Sequence, residues 1–191
     1  MKRIVIFASG SGSNAENIIK YFQTRDSISV THVLTNNQQA KVLVRCKRLN
    51  MNSMVFNREE FTKTNKIIDF LKKEADYIVL AGFLWRIPVN IVEAFPNRII
   101  NIHPALLPKY GGKGMYGMNV HRAVKENFEE ETGITIHYVN ENYDEGAIIF
   151  QARCKLFTSD TPEDIAQKVH KLEYEHFPKV IEQIILNKKI G

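Results

Sequence analysis

Five short strand-like runs, at residues 3–8, 28–35, 54–56, 77–81 and 99–102, alternate with stretches whose apolar residues recur at helical spacing. The first is the plainest: Ile4-Val5-Ile6-Phe7 is continuously apolar and stops at a glycine signal, as a strand buried on both faces does. The helical stretches carry Ile18, Ile19 and Phe22; Val42, Leu43, Cys46 and Leu49 within residues 38–49; Phe61, Ile67, Ile68 and Leu71 in one further helix; and residues 89–95. Consecutive strands joined by helices must run the same way, so the pattern predicts a parallel sheet.

The pattern changes after Thr132. Ile134, Ile136 and Tyr138 alternate with Thr135, His137 and Val139, which reads as a strand with one partly exposed face. A further strand at residues 147–154 pairs with it antiparallel at one side of the sheet. Thr161-Pro162-Glu163-Asp164 opens a last helix, whose buried stripe is Ile165, Val169, Leu172, Phe177, Val180, Ile181 and Ile184, with Glu173 at its margin. The expected fold is α/β: one Rossmann-like, mostly parallel sheet with helices on both faces and an antiparallel strand near one edge.

With 191 residues, 44% of them hydrophobic, the chain suits a single domain over residues 1–191. The net charge of +5 comes from scattered pairs such as Lys2-Arg3, Lys72-Lys73 and Lys188-Lys189, so anionic small molecules, not nucleic acid, are the expected partners. Cys46 and Cys154 form no C-x-x-C, which argues against a thiol redox motif and a zinc site. No apolar run approaches membrane-spanning length and the start lacks a signal h-region, so the expected protein is soluble and cytoplasmic, with no membrane partner.

Parallel sheets bind ligands beyond the carboxyl ends of their strands. At the first such end, Ser9-Gly10-Ser11-Gly12-Ser13-Asn14 leads into a helix, where free backbone N–H groups suit a phosphate. The G-x-G-x-x-A match at Gly10, Gly12 and Ala15 lacks the ribose-binding acid expected about 20 residues on, and no Walker Lys follows. A monophosphate cradle and a plain turn capped by Asn14 both remain. At the end of 77–81, Phe83-Leu84-Trp85-Arg86-Ile87-Pro88 offers the only Trp to a flat ring, or anchors a loop to the core. At the end of 99–102 stand Asn101 and His103, two residues apart and so on one side of an extended strand, followed by Pro104 and Pro108. Residues 111–117, rich in glycine, read as a lid or as a slack connection.

These segments, in order Gly10-Ser11-Gly12-Ser13-Asn14, Ala81-Gly82-Phe83, Asn101-Ile102-His103-Pro104, Leu106-Leu107-Pro108-Lys109-Tyr110, Asp144-x-Gly146 and Glu173, resemble the phosphoribosylglycinamide formyltransferases, folate-dependent enzymes of purine synthesis. The resemblance implies formyl transfer from 10-formyltetrahydrofolate to the amine of glycinamide ribonucleotide, with no metal and a monomer or weak homodimer. It implies a phosphate-binding N-terminal half and a folate-binding, catalytic C-terminal half. His103 is then the general acid, Asn101 the oxyanion donor and Asp144 the carboxylate that keeps His103 protonated. Gly12, Ser13, Asn14 and Glu173 would hold the ribonucleotide. Arg58, Trp85, Arg86, Ile87, Pro88, Asn101, Asn140, Glu141, Asn142, Tyr143 and Asp144 would hold the folate. Trp85 and the glycine-rich segment after Tyr110 depart from the family pattern.

Three rivals stand beside this reading. Other formyl-folate enzymes share the Asn, His and Asp set, but with nothing after Gly191 no added nucleic-acid or sugar-nucleotide module is expected. A non-catalytic nucleotide-binding module would keep His103 and Asp144 apart. A nicotinamide oxidoreductase rests on the loose glycine pattern alone.

Overall fold

The structure, a computed structural model, describes residues 1–190. Hydrogen bonding orders seven strands as β3-β2-β1-β4-β5-β6-β7. The chain divides into two compact units, Met1–Ile100 and Asn101–Gly191.

In the first unit, β1 (Lys2–Phe7) has β2 (Ile28–Thr35) on one side and β4 (Tyr77–Leu80) on the other, both parallel, and β3 (Ser53–Val55) extends the sheet parallel to β2. Ile4 to Phe7 are at most 1% exposed, as a strand flanked on both edges and covered on both faces requires. Between the strands lie α1 (Ser13–Phe22), α2 (Lys41–Arg48), α3 (Arg58–Thr62), α4 (Lys66–Glu74) and α5 (Val89–Ala94). The expected single helix carrying Phe61 and Leu71 is two. An Asn57–Glu60 capping box starts α3, and the chain leaves helical geometry at Lys63, where φ is −120°. Thr62 and Thr64 hydroxyls turn back onto the carbonyls of Arg58 and Glu60, a bonding habit that weakens a helix end. Helix α2 starts at Lys41, later than expected, because Gln39 N–H is taken by the Asn37 side chain in a turn.

The last three residues of β5 (Ile99–His103) open the second unit, which adds α6 (Met118–Glu126), β6 (Glu131–Tyr138), β7 (Ile148–Lys155) and α7 (Pro162–Ile185). Strands β6 and β7 are antiparallel, with Thr135 opposite Gln151. Helix α6 has no counterpart in the sequence reading: it buries only Val120, His121 and Val124, too sparse a stripe to stand out behind a glycine-rich run. The partly exposed face expected for residues 132–139 is also corrected. Thr135 is 0% and His137 2% exposed, as buried as Ile134 and Ile136 on the other face. The exposed strand is β7, where Ile148 is 52% exposed. Among the described residues no helix is long and apolar enough to cross a membrane.

Candidate functional site

Strand β5 ends in Asn101 and His103, and side-chain alternation sends both the same way. The Asn101 amide nitrogen lies 3.1 Å from His137 Nε2, while His103 Nδ1 lies 3.5 Å from Asp144 Oδ2. Asp144 Oδ1 is in turn 3.6 Å from His137 Nε2. Four polar side chains, two from β5, one from β6 and one from the turn after it, thus converge within the second unit. His103 is 3% exposed and His137 2%.

Backbone groups fix how these side chains can act. His103 Nε2 is 2.7 Å from the Tyr110 carbonyl, which can only accept, so Nε2 carries a hydrogen and Nδ1 is the nitrogen that gains and loses a proton. His137 Nδ1 is likewise 2.8 Å from the Tyr138 carbonyl, which leaves Nε2 to accept from the Asn101 amide. That contact commits one Asn101 N–H and orients the amide. Asp144 sits at φ 55°, a left-handed conformation that Asp tolerates better than most residues. Its carboxylate accepts from Gly112 N–H at 3.0 Å. Two residues on, Gly146 is pressed so close to β6 that a Cβ would stand 1.6 Å from the Tyr138 carbonyl oxygen, so only glycine lets the turn deliver Asp144.

The loop between His103 and Tyr110 is tied down from below. Thr135 Oγ1 accepts from Leu107 N–H at 2.9 Å, donates to the Ala105 carbonyl at 2.7 Å, and accepts from Gln151 Nε2 at 2.9 Å. That saturates the hydroxyl. Gln151 Nε2 also donates to the Leu107 carbonyl at 3.1 Å.

Burial and charge oppose each other here. Burial pulls the His103 imidazole below its ordinary value of 6.5, and the Asp144 charge and Tyr110 carbonyl only partly restore it. Burial therefore works against the expected role of Asp144 in keeping His103 protonated: the carboxylate's field favours the imidazolium, and the cost of burying that charge opposes it. Burial also works against the Asp144 charge, but the His137 and His103 rings in their charged forms, together with the Gly112 N–H, outweigh it and hold the carboxyl below its usual value.

Elsewhere in the second unit, Glu173 is 5% exposed, deeper than the margin position expected, and accepts from His170 Nδ1 at 2.8 Å. That contact raises the His170 imidazole. His121 is buried on α6 and pushed down to about 4, chiefly by burial. Asn140 and Asn142 are joined side chain to backbone at 2.9 Å, Asn142 bonds Glu145 at 2.8 Å, and Glu141 and Tyr143 face solvent.

In the first unit, Gly12 stands before α1 at φ 70°, with Ser13 and Asn14 opening the helix. Trp85 packs edgewise on Phe56 and obliquely on Phe61, both at 6.1 Å, so it anchors its loop to an aromatic cluster while remaining half-buried. Arg58 places its guanidinium carbon 5.6 Å from the Trp85 ring centre, which brings two expected folate residues together. Arg86 is exposed and Pro88 precedes α5. Ile87 is 3% exposed, so it can offer a ligand only its backbone.

His137, the Tyr110 carbonyl and the Gly112 N–H were missed by the sequence reading. Once β6 is taken as buried on both faces, Thr135 and His137 stand out as a polar pair that must find partners; the two backbone groups carry no signal in side-chain identity.

The parallel sheet, the strand-to-helix glycine turn and the polar strand end place the fold among Rossmann-like α/β domains. The chain belongs to the formyl transferase family, whose pattern matches residues 2–181. It is 37% identical over 187 residues to the chloroplastic phosphoribosylglycinamide formyltransferase of Arabidopsis thaliana, covering 94% of this chain and 64% of that protein. It thus spans less than two thirds of that plant relative's length. To the phosphoribosylglycinamide formyltransferase of Bacillus subtilis it is 35% identical over 191 residues, covering 97% of this chain and 95% of the relative. The crystal structure of glycinamide ribonucleotide transformylase 1 from Symbiobacterium toebii superposes with a TM-score of 0.88 at 28% identity, covering 100% of this chain and 91% of that one.

Proposed function

We propose that this chain transfers the formyl group of 10-formyltetrahydrofolate to the amine of glycinamide ribonucleotide. The observation that carries the reading is the convergence of Asn101, His103, His137 and Asp144 in a member of the formyl transferase family. The names of the relatives supply the substrate.

Attack of the amine on the formyl carbon makes a tetrahedral intermediate, with negative charge on oxygen and a surplus proton on the attacking nitrogen. The second Asn101 N–H, the one not held by His137, is the donor for that oxygen. His103, neutral in the free protein because of burial, accepts the surplus proton at Nδ1. The resulting imidazolium is stabilised by Asp144 until it gives the proton to folate N10, as the bond from the carbon to N10 breaks and the new C–N bond remains. His103 acts first as base and then as acid. Burial sets its resting state, and Asp144 matters most once the charge has formed. Gly12, Ser13 and Asn14 cradle the phosphate, and Glu173 receives the amine. Arg58, the loop at Trp85 to Pro88 and residues 140–144 hold the folate. None of these steps requires a metal, and the substrates are small molecules, handled by a cytoplasmic monomer or weak homodimer.

The test is to mix the pure protein with both substrates and follow deformylated folate by absorbance. Turnover that needs both supports the reading. Release of folate without the amine makes the protein a formyl-folate hydrolase, and binding without turnover makes it a nucleotide-binding module.

A further inference from the structure

Consecutive peptides of the loop before α1 are held from α2. Val42 N–H donates to the Gly10 carbonyl at 3.2 Å, and Arg45 Nε–H donates to the Ser11 carbonyl at 2.7 Å. Gly12 lies against the same helix: a Cβ there would be 2.3 Å from Val42 Cγ2. Across a trans peptide the C=O and the following N–H point in opposite directions. Carbonyls of Gly10 and Ser11 turned toward α2 therefore turn the N–H groups of Ser11 and Gly12 away from it, as donors for an anion.

Arg45 has a second partner. Its Nη1 donates to the carboxylate of Glu16, in the first turn of α1, while Arg48 Nη2 and Lys20 Nζ each reach the other oxygen at 2.6 Å. Glu16 is 8% exposed, yet its carboxyl is pushed down to about 2, by Lys20 first and Arg45 next, against the effect of burial. Three cations on one carboxylate make the cluster net positive. Residues 9–14 contain no Lys or Arg, so the field that draws a phosphate to this loop comes from the neighbouring helices.

We propose that Arg45 is a positioning residue for phosphate recognition: it aims the Gly12 N–H by holding the Ser11 carbonyl, and it anchors the cationic cluster through Glu16. This rests on reading residues 10–14 as the phosphate cradle. A planar guanidinium can serve both acceptors with directed N–H groups, whereas the point charge of a lysine keeps the field without the directed pair.

The experiment is steady-state kinetics on Arg45→Met, Arg45→Lys and Arg48→Met, with inorganic phosphate as inhibitor and circular dichroism to check the fold. In Arg45→Met the KM for the ribonucleotide and the inhibition constant for phosphate rise together by about tenfold, with kcat and the folate KM within about twofold. Arg45→Lys shows a smaller rise, about threefold, and serves as the deciding variant if Arg45→Met does not fold. Arg48→Met, which keeps the hold on Ser11, shows about a twofold rise that fades at high salt. Phosphate inhibition unchanged in the Arg45 variants, or a fall in kcat at constant KM, overturns the proposal. Failure of the underlying reading looks different: phosphate then does not compete with the ribonucleotide even in the unaltered protein, whereas competition there with no response in the variants removes Arg45 and leaves the cradle standing.

Discussion

On the proposed reading, residues 10–14 offer a ligand backbone N–H groups contiguous in the chain, whereas the second unit offers side chains gathered from β5, β6 and the turn beyond. The two are vulnerable to opposite changes. The loop fails when an atom is added, because Gly12 has no room for a Cβ against Val42. The cluster fails when an atom is removed, because each member holds its neighbour. One region owes its properties to shape and helix polarity, the other to burial and charge, so substitutions that separate shape from charge tell the two designs apart.

The largest effect belongs to His103→Ala. If the imidazole carries the proton between the two nitrogens, kcat falls about 1,000-fold, within the usual range for losing a positioned acid–base group. The ribonucleotide KM stays near its original value, since the loop in the first unit is untouched. A kcat within tenfold of the original would remove His103 from the chemistry.

Next is Asp144→Asn, where the sign of a pH shift matters as much as the size of the loss. Asp144 opposes the burial that depresses His103, so replacing its charge lets the imidazole fall further below 6.5. His103 must be neutral to accept the proton, and the acid limb of kcat/KM therefore moves to lower pH. The plateau drops about 100-fold, because the imidazolium intermediate loses its counter-charge. An acid limb that moves upward contradicts the balance of burial and charge described for His103.

The same contrast explains what was legible in the sequence. Strand β1 could be read directly because the continuous apolar run from Ile4 is followed closely by the glycine-rich segment that starts at Gly10. The glycine-rich turn could be read because its residues are contiguous. Asn101 and His103 share a side through alternation alone, but Asp144 joined them only through family resemblance, since no periodicity links residue 103 to residue 144. The face that carries His137 reads as partly exposed because alternation with isoleucine looks the same whether the second face meets water or, as here, Asn101 and the loop at residues 105–107. The break between α3 and α4 depends on capping and hydroxyl back-bonding, which an apolar pattern does not register, and helix α6 buries too few apolar residues to show in one.

A smaller effect, on stability, tests the charge cluster of the first unit. Glu16 has a folded value of about 2 against an ordinary 4.5. A depressed carboxyl contributes stability that is present above its unfolded value and lost as pH falls through its folded value. Solvent reaching Lys20 and Arg48 weakens their share, leaving about 2 kcal/mol at neutral pH. Glu16→Gln is therefore less stable than the unaltered protein by about that amount in urea unfolding at neutral pH, and the gap closes as pH falls from 4.5 towards 2. A gap independent of pH would mean that the glutamate acts by packing and not by charge.

The smallest effect separates support from chemistry in the second unit. Gln151 reaches no member of the polar cluster, but its amide holds the Leu107 carbonyl and the Thr135 hydroxyl, and so steadies the loop that ends at the Tyr110 carbonyl. Gln151→Met keeps the volume and removes both donors. The cost is about 1 kcal/mol, because β7 is partly open and water can replace the lost amide. If the Tyr110 carbonyl sets the His103 tautomer, loosening it also lowers kcat about threefold while both KM values stay constant, a split that simple destabilisation does not produce. Equal kcat with lower stability would confine Gln151 to holding the loop. A larger fall than that of Asp144→Asn would mean that the loop backbone, not the carboxylate, governs the imidazole.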